Sequence, residues 1–168
     1  RVRRQRQMCI RDRGTIASNL RYGKDDATDA QIEEAASIAQ ATEFIDSKSA
    51  KYDSPIAQGG TNVSGGQKQR LSIARAIAKD PEIFIFDDSF SALDFKTDSQ
   101  LRKALKEYTK DATTVIVAQR ISTILGADQI IVLDDGHMAG IGTHKELMAN
   151  CEVYQQIARS QLSEEELA

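Results

Sequence analysis

Two hydrophobic periods alternate along the chain. Ile32, Ala35, Ala36, Ala39, Phe44 and Ile45 recur at helical spacing, which predicts one or two short amphipathic helices over residues 30–46. Residues 25–29 precede them, with Thr28 or Asp29 as N-cap candidates. Residues 14–23 form a short segment closed by Gly23, and the polar, Gly-rich residues 47–63 predict a loop. Ser64 opens a helix carrying Leu71, Ala74, Ile77 and Ala78, and Lys79-Asp80-Pro81 ends it, because the residue before a proline is pushed out of the helical region. The runs 83–86 and 114–118 have no polar face, which predicts strands buried on both faces. A charged amphipathic helix over 96–109 lies between them. Residues 120–126 predict a short helix and 130–133 a third strand. Asp135-Gly136 then predicts a hairpin turn into 137–141, Thr143 caps a further helix, and 151–162 form the last one. This alternation predicts an α/β fold with helices packed on a sheet, and there is no internal repeat.

Composition adds mostly exclusions. The 168 residues are 40% hydrophobic and 28% charged, as in an ordinary globular domain. Aromatic residues make up 5% and Trp is absent, which leaves little to stack on nucleic acid bases. Cys9 and Cys151 are too few for a disulfide framework and lack metal-site spacing, so a reducing compartment is expected. No apolar run approaches the ~20 residues of a membrane helix, and no hydrophobic leader follows the basic N-terminus. The chain is expected not to be embedded in a membrane itself, although a longer protein containing it could be. Residues 1–13 hold six Arg and one Asp, a net charge of +5 against −3 for the whole chain. A basic arm of this kind could bind nucleic acid or a membrane surface. The favoured expectation is a foreign extension, since the domain pattern starts abruptly at Gly14.

The densest chemistry lies at Val63-Ser64-Gly65-Gly66-Gln67, followed by Lys-Gln-Arg. A Ser and two glycines at the mouth of a helix make an anion site. Backbone N–H groups are free there, the helix dipole adds partial positive charge, and glycines let a phosphate approach the backbone. The string SGGQKQRLSIARAI resembles the signature helix of ATP-binding cassette (ABC) ATPases, usually LSGGQxQR, with Val63 in place of Leu. Gly60 and Gly65 have the glycine spacing of a P-loop, but Gly66 and Gln67 stand where Lys and Ser/Thr are required, so the sequence contains no P-loop.

Further elements of the same family follow. The run 83–88, Ile-Phe-Ile-Phe-Asp-Asp, resembles a Walker B strand. That resemblance makes Asp87 a Mg²⁺ ligand, direct or through water, and suits a hard cation that keeps several waters. Asp88 stands where the family usually carries the general-base Glu. Its carboxylate is retracted by roughly 1.5 Å, when general-base geometry needs contacts of about 3 Å and a 1 Å misplacement can cost ~100-fold. Ser91-Ala92-Leu93-Asp94 matches the D-loop, which in the family crosses a dimer interface. Residues 113–118 lead to Gln119, where the family's switch loop usually has His; Gln can donate to a phosphate oxygen but carries no charge. His137 and His144 are expected to be structural or solvated. Residues 57–60, Ala-Gln-Gly-Gly, stand where exporters have the loop that meets the transmembrane coupling helices, with Gln58 in place of the usual Glu.

The resemblance runs from Gly14 to about Gln161. It implies a P-loop NTPase-like ABC ATPase domain, N-terminally truncated, with helical subdomain and signature over about 14–80 and Walker B, D-loop, switch strand and C-terminal helices over 81–168. It implies ATP and Mg²⁺ as cofactors. Val63, Ser64, Gly65, Gly66, Gln67 and Asp94 are the nucleotide-contacting positions, Asp87 is at the metal, and Asp88 and Gln119 are at the catalytic positions. The pattern resembles the degenerate-site subunit of bacterial heterodimeric multidrug or lipid exporters. Its partners would be a second cassette and a transmembrane domain, with no nucleic acid, at the cytoplasmic face of the inner membrane. Two other expectations remain: a non-enzymatic partner-binding module, and a soluble ABC-type ATPase acting on nucleic acid. Without a P-loop, the isolated chain is expected to be inactive and prone to aggregate.

Overall fold

A computed structural model describes residues 14–163, so expectations for the basic arm and Cys9 fall outside the described residues. The chain divides into two compact units, Arg1–Val115 and Ile116–Ala168.

The first unit opens with strand β1 (Gly14–Thr15), paired antiparallel to β2 (Pro55–Ile56). Helix α1 (Ile16–Arg21) follows at once. Thr15 Oγ1 accepts from the Ser18 N–H at 3.1 Å, and Ser18 Oγ accepts from the Thr15 N–H at 2.9 Å. This reciprocal cap uses Ser where the usual pattern has Glu or Gln, so periodicity alone did not reveal the helix. A Cβ on Gly23 would lie 2.6 Å from the Arg75 carbonyl oxygen, so the chain leaving α1 passes too close to the next layer for any other residue.

Helices α2 (Asp29–Ile38) and α3 (Thr42–Asp46) cover the expected 30–46 segment, with Thr28 and Gln31 capping α2 reciprocally. Helix α4 (Gly65–Ala78) packs on α1 and α2. Ile16, Leu20, Ile32, Ile45, Leu71, Ile73 and Ile77 are almost fully buried in this layer. Burying each is worth roughly 1.5–3 kcal/mol before the entropy of ordering is counted. α4 ends where expected, at Lys79, with Asp80 at φ 51° ahead of Pro81.

Strand β3 (Ile83–Asp87) pairs with β4 (Thr113–Val117). The expectation of strands buried on both faces is corrected here. β3 alternates, with Phe84 and Phe86 at 3% and 4% exposure but Ile83 and Ile85 at 59% and 63%. In β4, Val115 and Val117 are also exposed. A continuous apolar run records the burial a strand could have; in this ladder the described residues cover only the Phe84 and Phe86 side of β3. That side carries an aromatic row: Phe84 meets Phe86 at 5.9 Å and Tyr108 edge-on at 6.2 Å, and Phe86 meets Phe90 at 5.4 Å. Helix α5 (Phe95–Tyr108) is capped by Asp94 and buries Leu101 and Leu105. Tyr108 Oη, at its end, donates to the Ile77 carbonyl (3.3 Å) or Asp80 Oδ1 (3.1 Å), joining the ends of α5 and α4.

The second unit is a hairpin backed by helices. β5 (Ile130–Asp134) and β6 (His137–Gly142) are joined at Asp135 (φ 45°) and Gly136 (φ 78°), the two positive φ angles of a type I′ turn. Ile130 and Val132 point into a core with Ile121, Leu147, Cys151, Tyr154, Ala158 and Leu162. Helices α6 (His144–Asn150) and α7 (Glu152–Gln161) supply most of that core, and Thr143 and Glu146 cap α6 reciprocally as expected. The expected helix over 120–126 is only a single 3₁₀ turn, Ile121–Thr123. Its first N–H is taken by the Gln161 side chain at 2.9 Å, and Ile121, Thr123 and Ile124 are β-branched, which disfavours longer helix.

Candidate functional site

The N-terminus of α4 and the segment after β3 meet in an open cleft of about 480 Å³, lined by Ser64, Gly65, Gly66, Arg70, Ala92, Leu93 and Asp94. Local chemistry builds its floor. Ser64 Oγ accepts from the Gln67 N–H at 3.2 Å, and Gln67 Oε1 accepts from the Ser64 N–H at 3.0 Å, a complete capping box. The Lys68 N–H donates to the Ser64 carbonyl at 2.9 Å. Gly65 and Gly66 therefore hold the first-turn N–H groups that no helical carbonyl can accept. Val63, 8% exposed, anchors the turn from below, so its departure from Leu preserves an apolar anchor.

The second wall comes from residues 92–94, in the segment after β3. A Cβ on Gly66 would stand 3.0 Å from the Ala92 carbonyl oxygen, whereas one on Gly65 would meet Ala92 Cβ at an ordinary 3.7 Å. Gly66 is thus required for the approach of the two walls, and Gly65 leaves room beside the cleft. Asp94 closes the far end and caps α5, its Oδ1 accepting from the Thr97 N–H at 2.9 Å. That bond, the Thr97 hydroxyl and the Arg70 guanidinium hold the Asp94 carboxyl below its ordinary value.

Arg70 and Gln69 were not singled out by the sequence. Arg70 stacks over Phe44 at 5.0 Å and donates from Nη1 to the Gln40 carbonyl at 2.7 Å. Burial pushes its guanidinium down from the ordinary value, with Asp94 and Glu43 opposing. Its Nε is buried and makes no hydrogen bond among the described residues. Gln69, 4% exposed, donates from Nε2 to the Asp88 carbonyl (3.3 Å) and Ser91 Oγ (3.1 Å) and accepts the Ala92 N–H at 2.9 Å. Gln69 lies at i, i+4 and i+8 with the buried Ile73 and Ile77, and a polar residue on that apolar stripe was the available signal.

Asp87 and Asp88 are exposed at the end of β3, delivered there by the burial of Phe84 and Phe86. Asp88 sits at φ 47°, a conformation unusual outside glycine but tolerated by Asp. Gln119 lies in the second unit, exposed, its carbonyl accepting from Gln161 Nε2 at 3.0 Å. Gln58 begins a 3₁₀ turn, Gln58–Gly60, whose Gly59 carbonyl accepts from Lys68 Nζ at 3.0 Å. His144 Nδ1 shares a hydrogen bond with the buried Tyr154 hydroxyl at 2.8 Å, the structural role expected of it.

These donors fit a phosphate. The cleft offers two helix-terminal N–H groups, the Ser64 hydroxyl and the positive charge of Arg70, and its glycines keep the mouth open. For a metal, no cluster of three or more ligating side chains exists among the described residues. A lone exposed carboxylate such as Asp87 still suits Mg²⁺, which takes one or two protein ligands and completes its shell with water and substrate phosphates. Among the described residues, no helix is long and apolar enough to cross a membrane.

Known proteins match this architecture. The ABC transporter family model matches residues 2–91. An uncharacterised ABC transporter ATP-binding protein of Mycobacterium bovis is 46% identical over 88% of this chain and 26% of its own length. The beta-(1→2)glucan export ATP-binding/permease protein of Rhodopseudomonas palustris is 46% identical over 92% and 26%. Human ATP-binding cassette sub-family B member 5 is 44% identical over 88% of this chain and 12% of its own length. In structure, the chain superposes on a bacterial Atm1-family ABC exporter with ATP bound, with a TM-score of 0.84, 36% identity and coverage of 90% of this chain and 27% of that one. The chain therefore spans about a quarter of the bacterial relatives and less of the human one. With the family model over residues 2–91 and the superposition on an ABC exporter in agreement, the chain belongs to the ABC transporter family and comprises part of its ATP-binding domain.

Proposed function

We propose that this chain is part of the ATP-powered domain of an ABC exporter, and that its signature cleft completes an ATP site on a second cassette. The observation that carries this reading is the cleft itself. The α4 N-terminus and residues 92–94 converge on an open cleft of about 480 Å³, large enough to admit the phosphate end of a nucleotide. Gly65 and Gly66 N–H groups, the Ser64 hydroxyl and the Arg70 charge would hold the terminal phosphate presented by the partner, with Val63 and Gln67 holding the turn and Asp94 the opposite wall. When bound, ATP would supply the free energy of its hydrolysis by water to ADP and phosphate. On this chain's own nucleotide side, Asp87 would hold Mg²⁺, with Asp88 at the general-base position and Gln119 at the switch position.

The short Asp88 and the uncharged Gln119 make that side the weaker one, which pairs this chain with a catalytically competent partner in a heterodimer. The assembly, with its transmembrane domain, lies at the cytoplasmic face of the inner membrane. The names of the glucan-export and Atm1-family relatives support an exporter over a nucleic-acid ATPase. In the full-length complex, Ser64→Ala and Gly66→Asp are expected to abolish most ATP turnover, while Asp88→Glu leaves it unchanged or raised. Turnover that survives the signature changes but collapses on Asp88→Ala would overturn the assignment. For the 168-residue chain alone, no steady MgATP turnover is expected; turnover sensitive to Asp87→Ala would contradict this.

A further inference from the structure

The cleft has two walls, and one buried side chain holds them together. Gln69 belongs to the signature helix, yet all three of its side-chain hydrogen bonds go to the segment after β3. The Ala92 N–H can only donate, so it fixes the amide oxygen toward Ala92. Nε2 must then face the Asp88 carbonyl and Ser91 Oγ, both able to accept. The Asp88 carbonyl also receives the Ser91 hydroxyl at 3.2 Å. The amide therefore closes a small network around the one residue at the strand end with a positive φ, 47°. Phe90 and Leu93 anchor this turn by burial, whereas Asp87, Asp88, Ser91 and Ala92 are exposed and are tied to α4 through the Gln69 amide.

We infer that Gln69 is a positioning residue for ATP turnover, fixing the Asp88 peptide and the D-loop against the signature turn so that both walls of the cleft move as one body. This inference rests on the proposed phosphate-binding role of the cleft. It follows that Gln69 acts on the alignment of groups that meet the phosphate, and so on turnover more than on nucleotide affinity.

A carboxylate at this position separates the roles. In Gln69→Glu, one oxygen still accepts the Ala92 N–H, but the other faces the Asp88 carbonyl with lone pairs. Ser91 would have to abandon that carbonyl to donate to the new anion. Protonation restores a donor, and burial favours the neutral form of the introduced acid. The Gln69→Glu defect should therefore fade reversibly as pH falls.

The test uses the full-length exporter complex, purified and assayed for MgATP hydrolysis between pH 8.5 and 6. Gln69→Leu is expected to lower kcat about tenfold or more while KM for MgATP changes less than threefold, since small misplacements of reacting groups cost one to two orders of magnitude. Gln69→Glu is expected to match that loss at pH 8.5 and to recover at least fivefold relative to wild type at pH 6, reversibly on returning the same sample to high pH. Parallel pH profiles for Gln69→Glu and wild type, or Gln69→Leu within twofold of wild type, would overturn the inference. If Gln69→Leu does not fold, the reversible profile of Gln69→Glu decides the matter alone. Gly66→Asp in the same complex separates the two levels. If it is inactive while Gln69→Leu is normal, only the positioning role falls; if it is fully active, the signature-cleft reading falls as well.

Discussion

Gly140 provides a test of how the second unit is packed. It lies in β6 opposite Val132, and an added Cβ would stand 2.8 Å from Cys151 Sγ, 3.0 Å from Leu147 Cδ2 and 3.3 Å from Cys151 Cβ. Neither neighbour yields easily. Leu147 and Cys151 are 3% and 6% exposed, and the Cys151 N–H is tied to the Leu147 carbonyl at 2.9 Å where α6 passes into α7. Gly140→Ala therefore overpacks a closed contact, at a cost of about 1–3 kcal/mol. That corresponds to about a 5- to 150-fold rise in local opening of the hairpin. Hydrogen exchange of the peptides covering residues 130–142, in the full-length protein, reads this directly. Cys151→Ala removes the closest clashing atom, so the double variant should cost less than the two single variants added together, by at least about 0.5 kcal/mol. Exchange within twofold of wild type for Gly140→Ala, or strict additivity with Cys151→Ala, would refute the packing argument.

Other outcomes can be checked more briefly. Gly65→Ala should leave D-loop exchange unchanged, whereas Gly66→Ala, which pushes on the Ala92 carbonyl, should raise exchange across residues 88–94 and lower turnover. Tyr108 has its phenol pushed up to about 12, first by burial and then by its bond to Asp80. The fold thus favours the neutral phenol, and its contribution to stability is complete below pH ~10 and lost as pH rises through about 12. A late tyrosinate absorbance step that disappears in Tyr108→Phe checks this; an unchanged titration counts against it. In the isolated 168-residue chain, the outer face of the hairpin exposes Ile131, Leu133, Met138 and Ile141 at 49–68%. Ile131→Lys with Leu133→Glu should reduce aggregation measured by light scattering, and no change would assign the aggregation to another surface.

The elements legible in the sequence were those whose cause is local. Ser64, Thr28 and Thr143 each cap a helix through a residue three positions on, and the turn at Asp135-Gly136 needs only two residues willing to take positive φ. The turn at residues 63–67 was legible as a helix start for the same reason, since its capping box lies within five consecutive residues. Burial was less legible. The run 83–86 reads as fully buried, yet Ile83 and Ile85 are exposed, because a side chain's covering lies elsewhere in the chain and leaves no trace in its neighbours. Gln69 was hidden for a related reason: its partners stand 19 to 23 residues away, and only the interruption of an apolar stripe marks it.

Locality also decides which part of the site this chain carries whole. Every residue lining the cleft lies between residues 64 and 94, inside one compact unit. The cleft's two walls are joined by Gln69 and by the close approach of Gly66 to Ala92, contacts that need nothing beyond that stretch. The other proposed positions are less local: Asp87 ends β3 and Asp88 follows it in the first unit, and Gln119 belongs to the second. On the proposed reading, changes at Ser64, Gly66 and Gln69 should lower ATP turnover of the full-length complex more than changes at Asp88 do.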